Sequence, residues 1–298
     1  MNFLDNMTVG TAYKKTPYIG AIYGAGGTGK TGLAVYAPDP LFIPLEPGTR
    51  WIFGNKELQG LAQCLKDKDG NMFIPTKAAF EDEHDQLFQT VRWLCNKKNH
   101  AAFEKQVKTI VIDGMRFAEN MFYADIVRCN PMTEGKSAKK VMDITDLGYD
   151  GMMKVIPYWE RVFAAAERLR SIGFNVIFIA HSARRNDDAP DGTRFKYIDM
   201  DLQSYGEAKV PNMFQARCDW VYYIDSAVQT KTSGAGKWTR TVASGTSEAE
   251  FNIHTRKTSL FYAKSRSVDG SLIPDAYSFT IESRAETAKQ LFADLENT

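Results

Sequence analysis

Long apolar runs are missing from this chain of 298 residues. None approaches the ~20 residues that a membrane-spanning helix needs. The amino terminus, Met1-Asn2-Phe3-Leu4-Asp5, has neither the basic block nor the apolar block of a signal peptide. Cysteine is scarce: Cys64, Cys95, Cys129 and Cys218 stand far apart, with no C-x-x-C and no histidine at ligand spacing. That pattern argues against a disulfide framework and a structural zinc site. Charge of one sign is also lacking, with 37 Lys and Arg against 36 Asp and Glu, a net of +1. No global field draws the chain to nucleic acid, so any such binding must come from local patches. No internal repeat is visible. The expectation is a reduced, soluble, cytoplasmic protein that makes no membrane contact and buries a sizeable core.

What the chain does have is glycine in one decisive place. Gly24-Ala25-Gly26-Gly27-Thr28-Gly29-Lys30-Thr31 satisfies G-x-x-x-x-G-K-[ST] in full. Tyr18-Ile19-Gly20-Ala21-Ile22-Tyr23 before it reads as a buried strand, and the segment from Gly32 to Ala37 starts a helix that Pro38 and Pro40 end. Strand, glycine loop and helix form the context in which backbone N–H groups turn inward on phosphate oxygens. Lys30 is expected to reach the β- and γ-phosphates and Thr31 to offer its hydroxyl to Mg²⁺. A ligand-free glycine turn is the competing reading. The short Gly234-Ala235-Gly236-Lys237 imitates half of such a loop, without a strand before it or a hydroxyl after it, and reads as a turn.

Further along, apolar runs alternate with helical patterns. Strands are predicted at 41–45, 109–112, 175–180 and 220–224, and two more near 258–263 and 277–281. Helices are predicted over 82–98, 116–128, 152–170 and 285–295, the third stopped by Gly173. Residues 183–217 read as a long loop and 226–250 as a hairpin tip. The alternation argues for a mostly parallel sheet with helices on both faces, where ligands collect at the carboxyl ends of the strands.

That rule selects a few residues. Asp113 closes an apolar strand where a Walker B acid would support the Mg²⁺ shell; capping the next helix is its structural alternative. Glu46 ends the intervening strand and is a candidate for orienting and deprotonating the attacking water, unless it is a solvated loop acid. His181 ends the next strand, where it could report a γ-phosphate to the following loop by a hydrogen bond. Lys264 and Arg266 alternate after an apolar run and would project to one face of a strand. They suit a charge clamp on a neighbouring subunit's triphosphate, although a solvated edge strand is the plainer reading of the pair alone. Arg50 and Trp51 follow Glu46 and are candidates to flank the base, against the plainer expectation of a packed tryptophan.

Taken in this order, the residues resemble the RecA-type ATPase core, and more closely the short phage-encoded RecA-like proteins of single-strand annealing and recombination. The resemblance spans 17–283 and implies an ATP- and Mg²⁺-dependent ATPase. Its core would be a mostly parallel α/β sheet with antiparallel strands at the C-terminal end. It would follow a 1–16 arm, carry an insertion over 52–107, and act in the host cytoplasm. By resemblance, Gly24 to Gly32 bind nucleotide, Thr31 and Asp113 serve the metal, and Lys30, Glu46, His181, Lys264 and Arg266 serve catalysis. Single-stranded DNA would lie on two loops. The loop 130–150 holds Lys136, Lys139 and Lys140, with Arg128 just upstream. The loop 183–213 holds Arg184, Arg185, Arg194, Lys196 and Lys209, offset by Asp187, Asp188, Asp191, Asp199, Asp201 and Glu207. Phe195 and Tyr197 are candidates to stack on bases. A homo-oligomer, filament or ring, is implied, with Phe3 and Leu4 the candidates for docking on a neighbour. A host single-stranded-DNA-binding protein is the implied partner. Two other readings compete. One is a ring-helicase-like motor, separable by strand displacement. The other is a nucleotide-dependent loader or switch acting on a protein, which would show ATPase without DNA binding.

Overall fold

The first strand, β1 (Ile19–Gly24), is apolar throughout and entirely buried, and it runs straight into the glycine loop. In this computed structural model, described for residues 16–58, 60–78, 85–133, 138–188, 192–227, 229–233, 240–244, 250–266 and 273–296, the loop opens α1 (Lys30–Ala34). Pro38 and Pro40 prevent the helix from continuing, and β2 (Pro40–Pro44) begins at once. Then come α2 (Arg50–Gly54), the two-residue β3 (Gln63–Cys64) and α3 (Leu87–Leu94). The strand β4 (Thr109–Asp113) leads into α4 (Met115–Cys129). Helices α5 (Gly148–Met153) and α6 (Ile156–Ser171) follow, separated just ahead of Pro157, which sits in the first turn of α6. The long β5 (Asn175–Asp188) and β6 (Arg194–Met200) form a ribbon. A small hairpin, β7 (Ser204–Tyr205) and β8 (Ala208–Lys209), precedes α7 (Val210–Arg217) and β9 (Trp220–Ser226). The chain then forms β10 (Gln229–Ser233), β11 (Arg240–Ser244), β12 (Glu250–His254), β13 (Ala276–Thr280) and α8 (Arg284–Glu296).

The central sheet has the order β13-β12-β9-β1-β5-β4-β2-β3. From β9 to β3 all neighbours are parallel, whereas β12 and β13 join antiparallel at the C-terminal end. Side chains alternate between two cores. Ile19, Ala21, Tyr23, Ile110, Ile112, Val176 and Phe178 pack with α3, α4, α6 and α7. Ile22, Phe42, Val111, Ile177, Ile179 and Tyr222 pack on the other face with α1, α2 and α8. Cover on both faces explains why these strands read as continuous apolar runs. No helix among the described residues is long and apolar enough to cross a membrane.

Several local expectations change. The segment 183–217 is not a loop: β5 runs eight residues past Ala180 and pairs antiparallel with β6, then β7, β8 and α7 follow. No regular strand forms over 258–263; the antiparallel partner of β9 is β12, which begins where the stretch read as a hairpin tip ends. The tip itself contains the paired β10 and β11. Residues 52–107 supply β3 to the sheet and α3 to its core. Residues 1–15, with Phe3 and Leu4, and also Lys136 and the 234–237 turn, lie outside the described residues.

Candidate nucleotide site

Parallel register brings the expected residues to one edge. Gly24 of β1 stands opposite His181 on β5, and Asp113 of β4 stands opposite Ile179 on β5 and Pro44 on β2. β1, β2 and β4 therefore end within two residues of one another, and the glycine loop, Glu46, Asp113 and His181 share the carboxyl rim of the sheet. Gly29, with φ +80°, caps the start of α1. Within the loop, Thr28 Oγ1 donates to Ala25 O over 2.9 Å. Lys30 Nζ donates to Gly24 O and Ala25 O over 3.0 and 2.7 Å. Burial lowers the Lys30 ammonium to about 8, against the pull of Asp113 and Glu46.

Asp113 is 1% exposed. Its Oδ2 accepts from Thr31 Oγ1 at 3.0 Å and from Thr49 Oγ1 at 2.9 Å, while Oδ1 is buried without a partner. Burial, with Glu46 nearby, raises its carboxyl to about 6, and the two threonine bonds and Lys30 oppose the rise. An orphaned carboxylate oxygen beside a threonine hydroxyl suits a hard cation that keeps its waters. Thr31 and Asp113 would hold Mg²⁺ there together with phosphate oxygens. Among the described residues no group of three or more His, Cys, Asp or Glu is arranged to hold a metal alone.

Glu46 lies on the same rim, just past β2. His181 Nε2 is 3.6 Å from Glu46 Oε2. That contact, aided by Lys30, holds the Glu46 carboxyl below its ordinary value despite partial burial. A carboxylate kept ionised at the mouth of the loop can accept a proton from water. Gly114, at φ +106°, makes room for it: a Cβ there would stand 3.3 Å from Glu46 Cγ. Thr49 and Gly114 complete the site and carry no motif. Thr49 acts through a short helical turn over Pro47–Thr49 that brings its hydroxyl to a residue 64 positions on.

The remaining candidates separate. Lys264 does not extend from a strand. Its ammonium donates to Gln215 O at 2.8 Å and Cys218 O at 2.5 Å, and so caps the end of α7 in its own chain. This corrects its assignment to a neighbouring subunit's nucleotide. Arg266, two residues on, is exposed. Arg185 is also turned inward, donating to Met200 O at 3.3 Å and to Leu202 O, which corrects its assignment to DNA. Arg184, Arg194 and Lys196 are exposed on the ribbon. Arg128 pairs with Asp125 at 2.6 Å, and Lys139 and Lys140 are exposed near it in sequence.

The sequence matches a family described as an AAA domain over residues 16–267. The chain belongs to that family. No curated protein matches it. Membership in the AAA domain family makes the chain a nucleotide-binding ATPase of the P-loop class. The AAA domain match ends at residue 267, so β13 and α8 lie beyond it.

Proposed function

We propose that this AAA-domain protein hydrolyses ATP with Mg²⁺, binds single-stranded DNA, and promotes annealing in homologous recombination as an oligomer of the short phage RecA-like type. ATP favours the assembled, DNA-competent state, and hydrolysis favours release. The observation that carries this reading is the β5–β6 ribbon. Its first strand is the one that holds His181 beside Glu46. Three residues on, the ribbon presents Arg184, whose cross-strand partner is Ile198, and then Asn186 opposite Lys196. Cross-strand partners share a face, so Arg184, Asn186, Lys196 and the next alternate residue, Arg194, line one side, and all four are exposed. Phe195 and Tyr197, on the opposite side, are half-buried. Asp188 stands opposite Arg194 on this side, and the three cations, which begin three residues past His181 on the same strand, are suited to a polyanion whose binding must be linked to hydrolysis. Lys139, Lys140 and Arg128 belong to the second proposed contact, and Arg266 is the candidate for a neighbour's nucleotide. A host single-stranded-DNA-binding protein and a cytoplasmic setting fit the same reading.

The test is steady-state ATP hydrolysis with and without a long unstructured single-stranded oligonucleotide at low salt. Strong stimulation is expected. An unchanged rate, with hydrolysis intact, would overturn the DNA assignment in favour of a switch acting on a protein.

A further inference from the structure

The C-terminal helix puts a cation beside the glycine loop. Arg284 opens α8, which is anchored by buried Ala288, Leu291 and Phe292. Its guanidinium fills the notch left by Gly32: a Cβ on that glycine would stand 2.5 Å from Arg284 Nη1 and 2.9 Å from Cζ. Arg284 Nε is buried without a hydrogen-bond partner. The guanidinium also lies 5.9 Å from the centre of the Trp51 ring, over its face. Trp51 is 43% exposed, so it is not the packed tryptophan that the sequence favoured. Phe279 of β13 backs the arrangement, 3.5 Å from where a Cβ of Gly29 would lie.

The order of groups along the loop sets what this notch faces. Lys30 and Thr31 belong to the β- and γ-phosphates and the metal, and the loop amides to the α- and β-phosphates. Gly32 is next, so the nucleoside end of the chain leaves past it. We infer that Arg284 and Trp51 are the two walls of the nucleoside slot, with the base lying between the guanidinium and the indole. A flat ring between two such walls needs roughly 7 Å, twice the ~3.5 Å of a van der Waals contact. The present spacing opens to that by a shift of roughly 1 Å in the exposed Trp51 side chain. Indole and guanidinium both stack on π-faces. Neither distinguishes strongly among bases, so the slot takes nucleoside triphosphates as a class. Phe279 and Arg284 both lie beyond residue 267, where the family match ends.

The inference rests on the phosphate-loop reading, and the experiment separates the two. Equilibrium binding of ATP and of inorganic tripolyphosphate, each with Mg²⁺, is measured by calorimetry for the wild type, Arg284→Ala, Trp51→Ala and Lys30→Ala. The expected result is about a tenfold loss of ATP affinity for each wall variant, with tripolyphosphate affinity changed less than about twofold. Retained tripolyphosphate binding also certifies that those variants are folded. Lys30→Ala should weaken both ligands. Unchanged ATP affinity in the wall variants, or equal losses for both ligands, would overturn the slot while leaving the loop in place. A wild-type protein that binds neither ligand would overturn the loop reading and the slot together. As a second readout, Trp51→Phe should abolish an ATP-specific change in tryptophan fluorescence that tripolyphosphate does not produce; persistence of that change would also count against the slot.

Discussion

Asp113 shows how closely this site trades stability for function. Its carboxylate is buried, satisfied on one oxygen by Thr31 and Thr49 and unpartnered on the other. With its folded value raised to about 6, above that of an unfolded aspartate, its contribution to stability is fully present only below about pH 4. The contribution is lost as the pH rises through 6. At neutral pH the charge is therefore a burden on the nucleotide-free protein, on the order of 1–3 kcal/mol. Asp113→Asn should raise the melting temperature of the nucleotide-free protein at pH 7.5. The advantage should vanish towards pH 4, and ATP hydrolysis should be lost at every pH. Calorimetric melts across that range test this, and an advantage that grew on acidification would contradict it. Lys30 and Thr31 were legible from the motif alone, because their spacing is dictated by the loop. Thr49 was not legible, because a threonine three residues after Glu46 gains meaning only when a helical turn closes it onto another strand. Arg284 was invisible for the same reason, since it meets Gly32 only after the last helix has docked.

At the scale of elements, the apolar core strands were readable because they are buried on both faces. The ribbon was missed although its signal was present: Arg194-Phe195-Lys196-Tyr197-Ile198-Asp199 alternates polar with apolar side chains over its first four residues. Its density of charge outweighed that alternation and suggested a loop. The same holds for β12, where Phe251 and Ile253 are buried between polar neighbours. Lys264 was misread because its partners, the last carbonyls of α7, are brought to it by tertiary packing. The ribbon makes a specific demand. If Arg184, Arg194 and Lys196 contact DNA backbone, replacing all three with alanine should reduce the slope of log affinity against log salt by about 2, at ~0.7 per contact on a single strand. Hydrolysis without DNA should stay the same. Fluorescence anisotropy with a labelled oligonucleotide over a salt series measures the slope, and a parallel line with no change in slope would remove the ribbon from the interface.

At the scale of the whole molecule, the sheet is knit from segments far apart in the chain. β1 is flanked by β5 on one side and β9 on the other, with Ile19 N bonded to Asp219 Oδ2 and Asp219 N to Ile19 O. The glycine loop thus depends on walls supplied some 200 residues later. A chain truncated after Cys218, which lacks β9, should show no ATP binding by equilibrium dialysis although its loop is complete; binding near the full-length affinity would refute that dependence. The same arrangement governs how the protein is born. β1 leaves the ribosome early, fully apolar, and its first lasting neighbour is not synthesised until residue 175. At ~5–20 residues per second the wait lasts roughly 10–30 s, long enough for a chaperone to find the strand. ATP cannot shorten it, because the nascent chain has nowhere to hold the nucleotide until the centre of the sheet has closed.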